Sequence, residues 1–67
     1  MMNAYVETRA GSSRTVKNLK CIKILNSNSE SVVTEFDSFA IGVERYAFVG
    51  DNILVISGSD ILFIDFF

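Results

Sequence analysis

Tyr46-Ala47-Phe48-Val49-Gly50-Asp51-Asn52-Ile53-Leu54-Val55-Ile56 decides the fold class. A turn triplet, Gly50-Asp51-Asn52, separates two β-forming runs, and that order specifies a hairpin. The hairpin closes a longer stretch, 31–57, whose apolar run is interrupted earlier by Phe36-Asp37-Ser38-Phe39. Further back, Leu19 to Leu25 alternates, with Lys20, Ile22 and Ile24 on one face and Leu19, Cys21 and Lys23 on the other. A period of two is a strand, with Ile22 and Ile24 facing inward. The polar turn Asn26-Ser27-Asn28-Ser29 then joins 19–25 to a second strand over 31–37. In that strand Val33 and Phe36 stand three apart, so either one is exposed or a bulge bends the chain. Phe39, Ile41 and Val43 resume the alternation and predict more strand, with Gly42 suited to a close backbone approach or a sharp curve.

Outside this region, 3–9 reads as a short strand or an irregular arm, and Gly11-Ser12-Ser13 breaks any continuing period. Helical spacing is poor throughout, leaving room for no more than a turn within 13–19. After Gly58-Ser59-Asp60 the chain runs Ile61-Leu62-Phe63-Ile64-Asp65-Phe66-Phe67, a last strand. Five or six strands, short turns and no proline predict an all-β barrel or sandwich. The chain divides into a basic N-terminal arm or strand (1–18), a barrel core (19–57) and an additional C-terminal strand (58–67).

The chain has 67 residues, near the lower size at which a domain folds alone. Small domains gain stability from disulfides, metals or oligomerisation. One cysteine, Cys21, and no histidine exclude an intrachain disulfide and leave little with which to bind zinc. Self-association is the remaining reinforcement. No run approaches the roughly 20 apolar residues of a membrane helix, and the first residues lack the basic-then-apolar order of a secretory signal. A soluble cytoplasmic protein is expected, with an unpaired Cys21 suited to a reducing compartment. Scattered carboxylates and the absence of histidine offer no acid–base pair, so enzymatic chemistry and cofactors are not expected.

Charge is unevenly placed. Residues 1–23 carry Arg9, Arg14, Lys17, Lys20 and Lys23 against Glu7, a net +4, whereas 24–67 carry Arg45 against seven acids, a net −6. The pattern describes a basic arm on an acidic body, or solvated edges that discourage aggregation. The terminal runs 53–56 and 61–64 are apolar on both faces, yet a small barrel has one inside. About five large side chains left in water would forgo roughly 1.5–3 kcal/mol each. A second copy of the chain is the expected cover, with edge strands paired across the interface.

Two segments resemble a known family. Val33-Thr34-Glu35-Phe36-Asp37-Ser38-Phe39-Ala40-Ile41 is similar to the first motif of the Sm and Sm-like (LSm) proteins, including their bacterial Hfq form. Val49-Gly50-Asp51-Asn52-Ile53-Leu54-Val55-Ile56 resembles their second motif. The resemblance covers about 19–57. It implies a small, strongly bent five- to six-stranded Sm-like (SH3-like) barrel, here with an extra C-terminal strand and no clear N-terminal helix. It also implies homo-oligomeric rings of roughly five to eight subunits, in which 45–49 of one copy pairs with 53–57 of the next. Such rings bind uridine-rich or adenine-rich single-stranded RNA around the pore. The sequence departs from the pattern at Ile41, where Sm proteins commonly carry Asn, and at Val49, where they carry Arg; Gly50-Asp51 also lacks the Lys-His pair of Hfq.

By this resemblance Asp37 orders a loop, Phe39 stacks a base, and Gly50, Asp51 and Asn52 line the pore. From the residues alone, the alternation of Phe39 with Ile41 and Val43 favours a core side chain, and Gly50-Asp51-Asn52 reads first as a structural turn. Arg14, Lys17 and Lys20 are candidates for phosphate contacts that the pore loops lack. Tyr46, Phe48, Val49, Ile53, Val55 and Ile56 are the expected oligomer interface. Two rivals stand beside an RNA-binding ring: a protein-binding adaptor ring or dimer with a degenerate nucleotide pocket, and a dimeric SH3-like barrel outside the family.

Overall fold

The computed structural model describes residues 2–26 and 29–67. They form seven strands: β1 (Ala4–Thr8), β2 (Ser13–Val16), β3 (Cys21–Leu25), β4 (Glu30–Val33), β5 (Arg45–Val49), β6 (Ile53–Ser57) and β7 (Ile61–Phe66). There is no α-helix among the described residues, only 3₁₀ turns at Phe36–Ser38 and Gly58–Asp60. The chain is all-β. No helix among those residues is long and apolar enough to cross a membrane.

Hydrophobic alternation sets the register. In β3, Ile22 is fully buried while its neighbours Cys21 and Lys23 are half-buried on the opposite face. Antiparallel pairing puts Ile22 opposite Phe48 on β5 and Val33 on β4, and Phe48 in turn faces Leu54 on β6. The four strands make one sheet in the order β4-β3-β5-β6. The second sheet, β2-β1-β7, unites the two ends of the sequence, so the N-terminal arm and the extra C-terminal strand are neighbours in one layer. Ala4, Val6, Val16 and Ile61 from this side meet Leu19, Ile22, Tyr46 and Phe48 in one buried cluster. The architecture is two antiparallel sheets over a shared core, and no ladder among the described residues closes them into a barrel.

Residues 34–44 depart from the expected strand. β4 ends at Val33, the chain turns through the 3₁₀ segment, and no strand follows before Arg45. The spacing of Val33 and Phe36 is therefore met by leaving the strand rather than by a bulge. Alternation at Phe39, Ile41 and Val43 finds no ladder among the described residues. Phe39 turns inward, edge-on to Tyr46 at 5.3 Å, while Ile41 and Val43 face solvent. Phe36 stacks on Phe66 at 5.5 Å. The segment thus lays one ring on each sheet. The expected turn at Asn26-Ser27-Asn28-Ser29 falls partly outside the described residues; within them, the Ser29 N–H donates to Asn26 Oδ1 at 2.8 Å.

Tyr46 anchors the end of that segment. Its ring is buried, its hydroxyl accepts the Gly42 N–H at 2.6 Å and donates to Glu44 Oε1 at 3.3 Å. A tyrosine bonded to backbone just upstream fixes a chain corner in other β-sandwiches. Burial is the main cause that pushes the Tyr46 phenol above its ordinary value of 10.0, and the Glu44 carboxylate adds to it against the Gly42 hydrogen bond. A folded-state value above the unfolded one gives stability that is present below pH 10.0 and lost as pH rises through the folded value. Tyr46→Phe should therefore flatten the alkaline limb of urea-unfolding stability plotted against pH. At neutral pH the same variant removes the hydrogen bond from the exposed Gly42 N–H and should cost about 0.5–1.5 kcal/mol.

Candidate nucleic-acid interface

The Gly50-Asp51-Asn52 triplet joins β5 to β6 and rests on the segment between β2 and β3. That segment turns at Asn18, whose φ of 54° is left-handed. Asparagine tolerates this region better than most side chains. The turn aims the Lys17 carbonyl at the Asp51 N–H, 2.8 Å away, and lets Asn18 Nδ2 donate to Asp51 Oδ2 at 2.8 Å. Gly50 permits the close fit: a Cβ there would stand 2.8 Å from Val16 Cγ1 and 3.0 Å from the Asn18 carbonyl oxygen. The Lys20 N–H donates to the Val49 carbonyl at 2.7 Å, and Asn52 Nδ2 reaches the Thr15 carbonyl at 3.4 Å.

Lys17, Lys20, Gly50, Asp51 and Asn52, read separately in the sequence, are therefore neighbours at one end of the molecule. Both lysines are exposed, so their ammonium groups are open to an anion. The Asp51 carboxylate opposes them in part, although one oxygen is engaged by Asn18. Arg14 lies on β2, exposed, with its Nη1 donating to the Ser13 carbonyl at 2.9 Å. An open cleft lined by Met2, Asn18, Leu19 and Lys20 adjoins the lysines; its volume of about 250 Å³ falls just below the usual range for small-molecule pockets.

Asp37 and Phe39 are not part of this end. Asp37 is exposed on the 3₁₀ turn, and Phe39 packs edge-on against Tyr46 and Phe48. Phe39 is thus held in the core and not offered to a base beside the lysines. Among the expected interface residues, Tyr46 and Phe48 are buried in the core, and Val49 and Ile56 are half-buried. Ile53 and Val55 are 66% and 47% exposed on the outer face of the four-stranded sheet. The runs 45–49 and 53–57, which the family resemblance implies pair between copies, pair here within the chain. Sequence reasoning missed Thr15 and Asn18 as supports of the triplet; an asparagine between two lysines, ahead of a strand, was the available turn signal.

No protein-family model, curated protein or solved structure matches the chain.

Proposed function

We propose that the chain is a non-enzymatic, self-associating protein of the Sm-like kind that contacts single-stranded RNA, or a partner carrying it, through its Lys17–Lys20 end. The observation that carries this reading is the docking of Lys17-Asn18 on Gly50-Asp51-Asn52, which sets exposed lysines beside the triplet resembling the second Sm motif. Phosphate contacts dominate nucleic-acid affinity, and here Lys17 and Lys20 supply them in place of the basic residue that Val49 lacks. Each copy offers a weak site, and self-association adds the sites through effective concentration. The finer reading of the two sheets as an Sm-like barrel rests on the two motifs. A ring could not use β5, which has no open edge; within the four-stranded sheet it would join β6 of one copy to β4 of the next.

One observation favours a protein-binding adaptor instead: Phe39, the ring expected to stack a base, packs on Tyr46 and Phe48. Binding of short oligo-U and oligo-A across a salt series separates the two readings. The RNA reading expects affinity to fall linearly on a log–log plot, by about 0.7 per phosphate contacted. Lys17→Glu with Lys20→Glu should remove about 1.4 from that slope. Absence of binding at low salt would leave the adaptor.

A further inference from the structure

Four strands lie at sheet edges: β2 and β7 in one sheet, β4 and β6 in the other. An open edge offers unpaired N–H and C=O groups to any second strand, and folded proteins guard such edges with charge, proline or a bulge. Three of the four are guarded. β2 carries Arg14 and β4 carries Glu30. β7 carries Asp65 and a register shift that drops Leu62 from its ladder with β1. β6 is Ile53-Leu54-Val55-Ile56-Ser57, without charge, proline or any break in its register on β5. β2 lies against part of β6, and Asn52 Nδ2 reaches the Thr15 carbonyl at 3.4 Å just ahead of the strand, but no ladder joins the two strands.

We propose that β6 joins two copies of this chain, paired antiparallel across a two-fold axis at Val55. A second copy is the fitting occupant because the strand complements itself. About Val55, Leu54 falls opposite Ile56 of the second copy and Ile53 opposite its Ser57, so the pairing buries no charge. The nearest acids are kept apart by the same register: Asp51 falls opposite Ser59 and Asp60 opposite Gly50 of the second copy. Like charges set directly opposite would destabilise the pair. The contact is the same patch on both copies and closes with two. Pairing β6 with β4 would instead meet Glu30, which already lies 3.8 Å from Lys23.

This inference rests on the self-association in the proposed function and is separable from the RNA contact. The test uses the full chain with Cys21→Ser, so that the introduced thiol is the only one. The two-fold axis sets the Val55 Cα atoms about 4.5–5.5 Å apart, within the range of about 4.4–6.8 Å that a disulfide spans. Ile53 of each copy lies two residues from the axis on opposite sides, about 13 Å from its twin. Under mild oxidation Val55→Cys should convert largely to a covalent dimer while Ile53→Cys stays without a cross-link. The unmodified chain should sediment at twice its 7.4 kDa. Cross-linking at both positions or at neither, or sedimentation as a monomer or a larger ring, would overturn the inference. Oligo-U binding by the same samples reports separately: a salt-sensitive affinity that survives a failed cross-link leaves the RNA reading standing, and the converse leaves β6 standing.

Discussion

Phe48→Ala should cost about 3–5 kcal/mol, the usual loss when a buried aromatic is truncated and its cavity only partly refills. Phe48 has no exposed surface, and it lies opposite Ile22 on β3 and Leu54 on β6, with the Phe39 ring edge-on at 6.4 Å. The cavity would open where strands of the four-stranded sheet and the 34–44 connection converge, so no single element can collapse into it. A domain of this size has about 3–10 kcal/mol in total. The variant should therefore be largely unfolded at room temperature, or melt about 12–40 °C lower where it still folds. Thermal unfolding followed by circular dichroism reads the shift. Val43→Ala is the matched control: Val43 is 85% exposed, and its truncation should change stability by less than about 0.5 kcal/mol. Equal effects at the two positions would contradict the placement of the core.

Gly58→Ala should destabilise by about 1–3 kcal/mol, the range for a side chain forced into filled space. The sign is the informative part. A glycine whose backbone suits any residue normally gains about 0.4–1 kcal/mol on conversion to alanine, because the unfolded chain becomes less free. Gly58 is buried, and its N–H donates to the Glu44 carbonyl at 2.7 Å. A Cβ there would collide with the Gly42 carbonyl and lie 2.9 Å from Tyr46 Cε2. Both are held in place: Gly42 by its bond to the Tyr46 hydroxyl, and the ring by the core. Relief requires moving the 42–44 backbone, which also breaks the Tyr46 corner. Urea denaturation of Gly58→Ala beside Tyr46→Phe tests this coupling. Changes at neighbouring positions that share partners should fail to add, whereas independent sites would add within about 0.3–0.5 kcal/mol.

Much of the fold was legible because strands write a period of two. Leu19 to Leu25 carries it without competition, the runs around Gly50-Asp51-Asn52 are β-forming residues set off by a turn, and all three became strands within two residues of their expected ends. Phe39-Ile41-Val43 carries it too and misleads: Phe39 packs edge-on to Tyr46 while Ile41 and Val43 face solvent, and no ladder forms. Ser13-Arg14-Thr15-Val16 errs the other way: polar and exposed at three positions, it shows almost no period, and becomes a strand because β1 lies alongside.

The candidate site was legible as residue types but not as a place. Lys17 and Lys20 stood out by charge and Gly50-Asp51-Asn52 by turn chemistry, yet nothing local ties residue 17 to residue 51. That link depends on the left-handed turn at Asn18 and the fit of Gly50 against Val16. Phe39 shows the opposite limit: its alternation with Ile41 and Val43 favoured the core, but an aromatic in such a motif also suits a pore until its neighbours, Tyr46 and Phe48, are known.

By itself, then, the sequence determined the all-β class, the hairpins around 26–29 and 50–52, and the surplus of apolar strand surface seen at Ile53, Val55, Leu62 and Phe63. Those depend on backbone preference and side-chain alternation, which act over a few residues. The tertiary structure alone decided that the chain ends share a sheet, that Phe36 and Phe39 bridge the two layers, and that β6 keeps an unguarded edge. Those depend on which edges remain open once the other strands have paired, a property of the whole arrangement that no short window of residues contains.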